Sequence, residues 1–92
     1  MKISAQHASL AGHFPGNPVV PGVVLLDAVA QALSAQLGRA VTVTGMPNVK
    51  FLAPLLPEQE FSIAFTLRDG DRAGFEVVTN AHKILTGSLT YE

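Results

Sequence analysis

Ninety-two residues make one domain, and a chain this short buries a smaller share of its surface than a domain of about 150 residues, so its 48% hydrophobic content points to a large face covered by a second copy. The formal net charge of −1, with six scattered Lys and Arg residues, supplies no basic field for nucleic acid. The absence of cysteine excludes disulfides, thiolate metal sites and a cysteine nucleophile, and fits a reducing compartment.

The charged start MKIS is followed by polar residues rather than an apolar run, so no signal peptide is visible. Lys2 to Ala5 is a short strand candidate, and Gln6 to Pro21 reads as a loop punctuated by Gly12, Pro15, Gly16, Pro18 and Pro21. From Gly22 the character changes. VVLLDAVAQALSAQL lacks Gly and Pro, is rich in Leu, Ala and Gln, and stops at Gly38, which predicts a helix from about Gly22 to Leu37. Its apolar residues point in nearly every direction, the mark of a helix wrapped by other structure. Asp27, Gln31 and Ser34 form one narrow polar stripe along it, at spacings of four and three. The apolar run from Val23 has about 15 residues, short of the roughly 18 to 20 that a membrane span needs. A cytoplasmic protein with neither a membrane nor a nucleic-acid partner is expected.

Beyond the helix the period drops to two. Ala40 to Thr44 alternates as AVTVT, and Val49 to Leu52 continues after a break at Gly45 and Pro47. Phe61, Ile63, Phe65 and Leu67 line one face of the next strand, and the turn Asp69-Gly70-Asp71 leads to a strand from about Phe75 to Thr79. A final strand runs from Ile84 to Tyr91, with Gly87 inside it as a bulge or a close approach. The sum is a single α+β domain over residues 1–92, a largely antiparallel sheet with one long helix.

The segment with most chemistry in it is HFPGNPVVPGVVLLDA, residues 13 to 28. Asp27 is the sole carboxylate in the first 57 residues and stands among apolar, small and amide side chains. A charge so placed needs partners or a task.

GHFPGNPVVPGVVLLDAVAQ resembles the active-site segment of the FabA/FabZ-type β-hydroxyacyl-acyl carrier protein dehydratases, which have the hot-dog fold. The pattern is His-Phe, a Gly-x-Pro turn, a Pro-Gly, and an acidic residue fourteen places after the histidine, all present from Gly12 to Gln31. Val49-Lys50-Phe51 with Pro54 and Pro57 matches a weaker second stretch. Aspartate, as at Asp27, is usual in the branch that also isomerises its product, whereas the rest of the segment reads like the broad-specificity branch. Common members carry a longer portion ahead of the histidine than the twelve residues that precede His13.

The resemblance implies a sheet wrapped around one central helix, a double hot-dog homodimer with active sites shared between subunits, and elimination of water from a 3-hydroxyacyl chain on an acyl carrier protein, with no cofactor. Such chemistry needs a base for the α-proton, an acid for the departing hydroxide, and a donor for charge on the thioester oxygen. By resemblance His13 is the base and Asp27, directly or through water, the acid; a carboxyl group must be protonated to donate, which a buried setting favours. The Gly22 N–H, at the helix start, is placed to hold the thioester oxygen, Gln31 to orient Asp27, and Phe14 and Val23 to contact substrate. Other readings of the same fold are thioester hydrolysis, enoyl-CoA hydration, or a non-catalytic acyl-binding or partner subunit.

His7 and His82 are expected at the surface, and no two of the three histidines share a metal-ligand spacing. Phe51, Phe61, Phe65 and Phe75 are each expected in the core rather than as acyl-tunnel lining, although a tunnel for a fatty chain would draw on such residues. An acidic carrier protein would be met by Arg39, Lys50, Arg68, Arg72 and Lys83.

Overall fold

A computed structural model describes residues 19–80 and 82–92. The strand expected at Lys2 to Ala5 lies outside these residues. The chain order is α1 (Gly22–Leu37), β1 (Val43–Phe51), β2 (Ser62–Arg68), β3 (Arg72–Val78) and β4 (Lys83–Tyr91).

The helix has the bounds its composition predicts. Pro21 stands at the N-cap with extended backbone and no side-chain cap, and its carbonyl accepts from the N–H groups of Val24 and Leu25. At the other end Gly38 adopts the left-handed conformation, φ 70°, and lets the Gly38 and Arg39 amides turn back onto the carbonyls of Ala35 and Ser34. Leu25, Val29 and Leu33, one turn apart, are fully buried. Each contributes about 1.5–3 kcal/mol by leaving water. Asp27 and Gln31 lie on the opposite side and are exposed, as is Val23 at 74%. Within one chain, therefore, the sheet covers one face of the helix. Ser34, the third member of the polar stripe, has a structural job: its Oγ accepts the Val41 N–H at 3.2 Å and ties the helix end to the approach to β1.

The four strands form one antiparallel sheet in the order β1-β4-β3-β2. The face that meets the helix carries Ala73, Phe75, Val77, Leu85 and Leu89, all buried in one cluster with the helix stripe. Its other face is mostly polar, with Thr66, Arg68, Glu76, Thr86 and Ser88, and the Lys83–Glu76 ion pair at 3.2 Å. Ile63 and Phe65 pack on the core, and Phe61 is buried just ahead of β2, but Leu67 at the strand's end is 47% exposed.

Two details correct the sequence reading. Gly45 and Pro47 do not break the edge strand; β1 runs through them, with its register against β4 shifted between Val43 and Gly45 and again between Gly45 and Asn48. β3 begins at Arg72, three residues before Phe75, because the turn at Asp69 to Asp71 is tight. Gly70 and Asp71 take positive φ there, and the Arg72 Nε donates to the Asp69 carbonyl at 3.0 Å.

Gly87 is a close approach. It pairs with Val49 on one side and Phe75 on the other, and a Cβ there would collide with the Asn48 carbonyl oxygen and lie 2.8 Å from Phe75 Cζ. Backbone cannot swing aside as a side chain can. Gly87→Val should therefore destabilise the protein by about 3 kcal/mol, the upper end of the usual overpacking cost. For a domain of this size that lowers Tm by more than about 10 °C in a thermal circular dichroism scan; a Tm within two or so degrees of wild type would contradict it.

Candidate active site

The segment that enters the helix and the segment that leaves β1 are tied together. The Val20 N–H donates to the Leu55 carbonyl at 2.8 Å, and the amides of Leu52 and Ala53 both reach the Ile84 carbonyl, at 2.8 and 3.3 Å. Pro57 and Glu58 then turn the chain, with Glu58 at φ 66° and the Gln59 N–H closing on the Leu56 carbonyl. Between the two segments lies a pocket of about 520 Å³, within the range of small-molecule sites. Its lining includes Val20, Leu25, Phe51, Leu52 and Leu55, with Pro21 and Gly22 at one wall. The surroundings are apolar apart from backbone.

Gly22 brings the polar group. As the first residue of a 16-residue helix it has no intrahelical acceptor for its N–H, nor has Val23, and neither amide has a partner among the described residues. Of these two donors at the positive end of the helix dipole, Gly22 lines the apolar cavity. Such donors suit an oxygen that gains negative charge during a reaction. Phe51 packs directly over Gly22: a Cβ at that position would lie 2.8 Å from the ring's Cζ and 3.1 Å from Cε1. A side chain at position 22 would have to displace that ring.

Asp27 and Gln31 are joined. The Gln31 Nε2 donates to Asp27 Oδ2 at 2.7 Å, which fixes the carboxyl orientation along the outward side of the helix. Asp27 does not line the pocket, and within one chain it is exposed, so the buried setting expected for a proton donor is not supplied by the described residues. Val23 stands one turn before Asp27 on the same side. His13 and Phe14 lie outside the described residues. The structure thus brings Gly22 to the pocket and Gln31 to Asp27.

Phe51 corrects an expectation. Of the four phenylalanines assigned to the core, Phe61 and Phe75 are buried and Phe65 is partly so, but Phe51 is 51% exposed and forms part of the pocket. The cue was in the Val49-Lys50-Phe51 stretch with Pro54, which carries the second part of the resemblance, and all four residues from Phe51 to Pro54 line the pocket.

The sequence matches, over residues 1–88, the family described as ApeI-like, ApeI dehydratase. The chain belongs to the ApeI-like dehydratase family. Among curated relatives, a 3-hydroxyacyl-[acyl-carrier-protein] dehydratase FabZ of Latilactobacillus sakei is 34% identical over 97% of this chain and 71% of its own length. FabZ of Chlamydia trachomatis is 30% identical over 88% of this chain, and that of Haemophilus influenzae 33% identical over 66%. The chain spans 61% and 47% of the lengths of those two. A solved structure, the dehydratase heterocomplex ApeI:P from Xenorhabdus doucetiae, superposes with a TM-score of 0.85 at 21% identity, covering 99% of this chain and 81% of that one. A protein from Erwinia carotovora subsp. atroseptica superposes at 0.76 with 22% identity, covering 99% of this chain and 77% of that one. The fold is the hot-dog fold of the dehydratases: one helix against a four-stranded antiparallel sheet.

Proposed function

We propose that this ApeI-like dehydratase eliminates water from a (3R)-hydroxyacyl group carried on an acyl carrier protein, giving the trans-2-enoyl thioester without a cofactor, in the cytoplasm. The observation that carries this reading is the Gly22 amide, without a partner among the described residues, on the wall of an apolar pocket of about 520 Å³. The pocket takes the acyl chain, and the Gly22 N–H holds the thioester oxygen as it becomes enolate-like. His13 removes the C2 proton, since imidazole titrates near neutral pH. The C3–O bond breaks, and Asp27, held by Gln31, returns a proton to the departing hydroxide, directly or through water. The electron pair from the C2–H bond ends as the C2=C3 double bond.

The site is read as shared between two chains, His13 of one with Asp27 of the other, which would enclose the outward side of the helix where Asp27 is exposed. A homodimer is the simplest such assembly. A second reading, supported by the heterocomplex in which the Xenorhabdus relative was solved, is that the second chain is a different dehydratase-like subunit.

Purified protein incubated with (3R)-3-hydroxyacyl-acyl carrier protein should produce the enoyl thioester, followed by its ultraviolet absorbance and by a mass loss of one water. Release of free thiol instead would establish hydrolysis, and turnover confined to coenzyme A esters would establish a hydratase. No turnover until a second subunit is added would establish the heteromeric reading.

A further inference from the structure

The helix start, the pocket and the end of β1 meet at one side chain. Phe51 is the last residue of β1, on the sheet face that meets the helix, paired with the buried Leu85. A phenylalanine on that face would ordinarily bury its ring. Phe51 is instead 51% exposed, and its ring leans across Gly22, with Cζ, Cε1 and Cε2 at 2.8, 3.1 and 3.6 Å from where a Cβ would be. The ring therefore packs on the residue whose amide has no partner among the described residues, and Gly22, Phe51 and Leu52 to Leu55 line one pocket.

An oxygen held by the Gly22 N–H brings its own carbon, and the two atoms bonded to that carbon, against whatever flanks the amide. In a thioester those two atoms are the sulfur and C2. Sulfur is thin and common to every substrate of this class. C2 is where substrates differ. We propose that Phe51 is a specificity-determining residue, whose ring rejects acyl chains branched at C2 and admits those with an unsubstituted C2. This assignment rests on the dehydratase reading above, with the Gly22 amide as the oxygen site. The epimer of a 2-methyl-3-hydroxyacyl thioester that keeps the C2 proton facing the base, with its C3 hydroxyl, remains chemically able to lose water, so its rejection is steric.

The test compares kcat/KM for two acyl carrier protein thioesters, (3R)-3-hydroxybutyryl and the epimer of its 2-methyl counterpart that keeps the C2 proton the base removes, in wild type, Phe51→Ala and Phe51→Leu. One methyl group in a fitted site is worth roughly 10- to 200-fold in discrimination. Wild type should prefer the unbranched ester by at least about tenfold, and Phe51→Ala should shrink that preference by about tenfold or more, with Phe51→Leu in between. A residue that merely props up the fold would lower both values by one factor and leave their ratio fixed, and that outcome overturns the assignment. If Phe51→Ala does not fold by circular dichroism, the ratio in Phe51→Leu decides: a shift toward the branched ester supports the role, and an unchanged ratio overturns it. A wild-type protein that dehydrates both esters equally also overturns it. Wild-type protein that dehydrates neither ester, alone or with a partner subunit, overturns the dehydratase reading itself and this assignment with it.

Discussion

Asp27→Asn should lower turnover by about 10²- to 10⁴-fold, the usual worth of a positioned proton donor, while leaving the affinity for a non-reacting substrate analogue within about twofold. The substitution keeps the shape of the side chain. An amide oxygen can still accept from the Gln31 Nε2, which now reaches Asp27 Oδ2 at 2.7 Å, so the orientation along the helix survives. What is lost is the transferable proton. Because the replacement keeps the side chain's shape and its hydrogen bond with Gln31, it should also leave thermal stability within about 1 kcal/mol. Steady-state kinetics, analogue titration and a melting curve on the same preparation distinguish the cases. Turnover and analogue binding that decline together would make Asp27 a structural residue.

The second large effect is a recovery. If His13 and Asp27 of different chains make each site in a homodimer, His13→Ala and Asp27→Ala proteins are each inactive, since every site lacks one member. Unfolded together in equal amounts and refolded, they should give heterodimers as about half of the population when pairing is random. In each heterodimer one site combines an intact His13 with an intact Asp27 and the other carries both lesions. Activity should return to about a quarter of wild type. A site contained in one chain gives no recovery, because every site still holds a lesion. Native mass spectrometry identifies the heterodimers, so that failure to recover activity in their presence counts against the shared site.

The elements governed by local chemistry were legible in the sequence. The helix was, because a Gly- and Pro-free run ends at a glycine, and Gly38 takes the left-handed conformation that such an end requires. Gly87 was, because a glycine inside a strand invites a close approach, and the Asn48 carbonyl oxygen fills the space a side chain would need. What depends on neighbours far along the chain was not. Gly45 and Pro47 look like a terminator in isolation, yet pairing with β4 carries the strand through them by shifting register. Leu67 continues the apolar alternation of β2 but lies at the strand's end and remains half-exposed. Of the candidate site, Gly22, Asp27 and Gln31 were read from one motif and its spacing. Phe51 was marked only by the weaker Val49-Lys50-Phe51 stretch, since no alternation or spacing says that a ring will lean over a glycine 29 positions earlier.

The irregular course of β1 has a consequence for how the protein survives at high concentration. Among the described residues β1 lies at one border of the sheet, where a straight strand would offer a row of unsatisfied amides and carbonyls to any passing chain. Pro47 has no N–H to offer, and the register shifts on either side of Gly45 throw the neighbouring donors out of the even spacing that another strand would need. An incoming segment could therefore zip along no more than a few residues before its ladder failed. The same residues that look like a fault in the strand shorten the regular ladder that this border could offer to another chain.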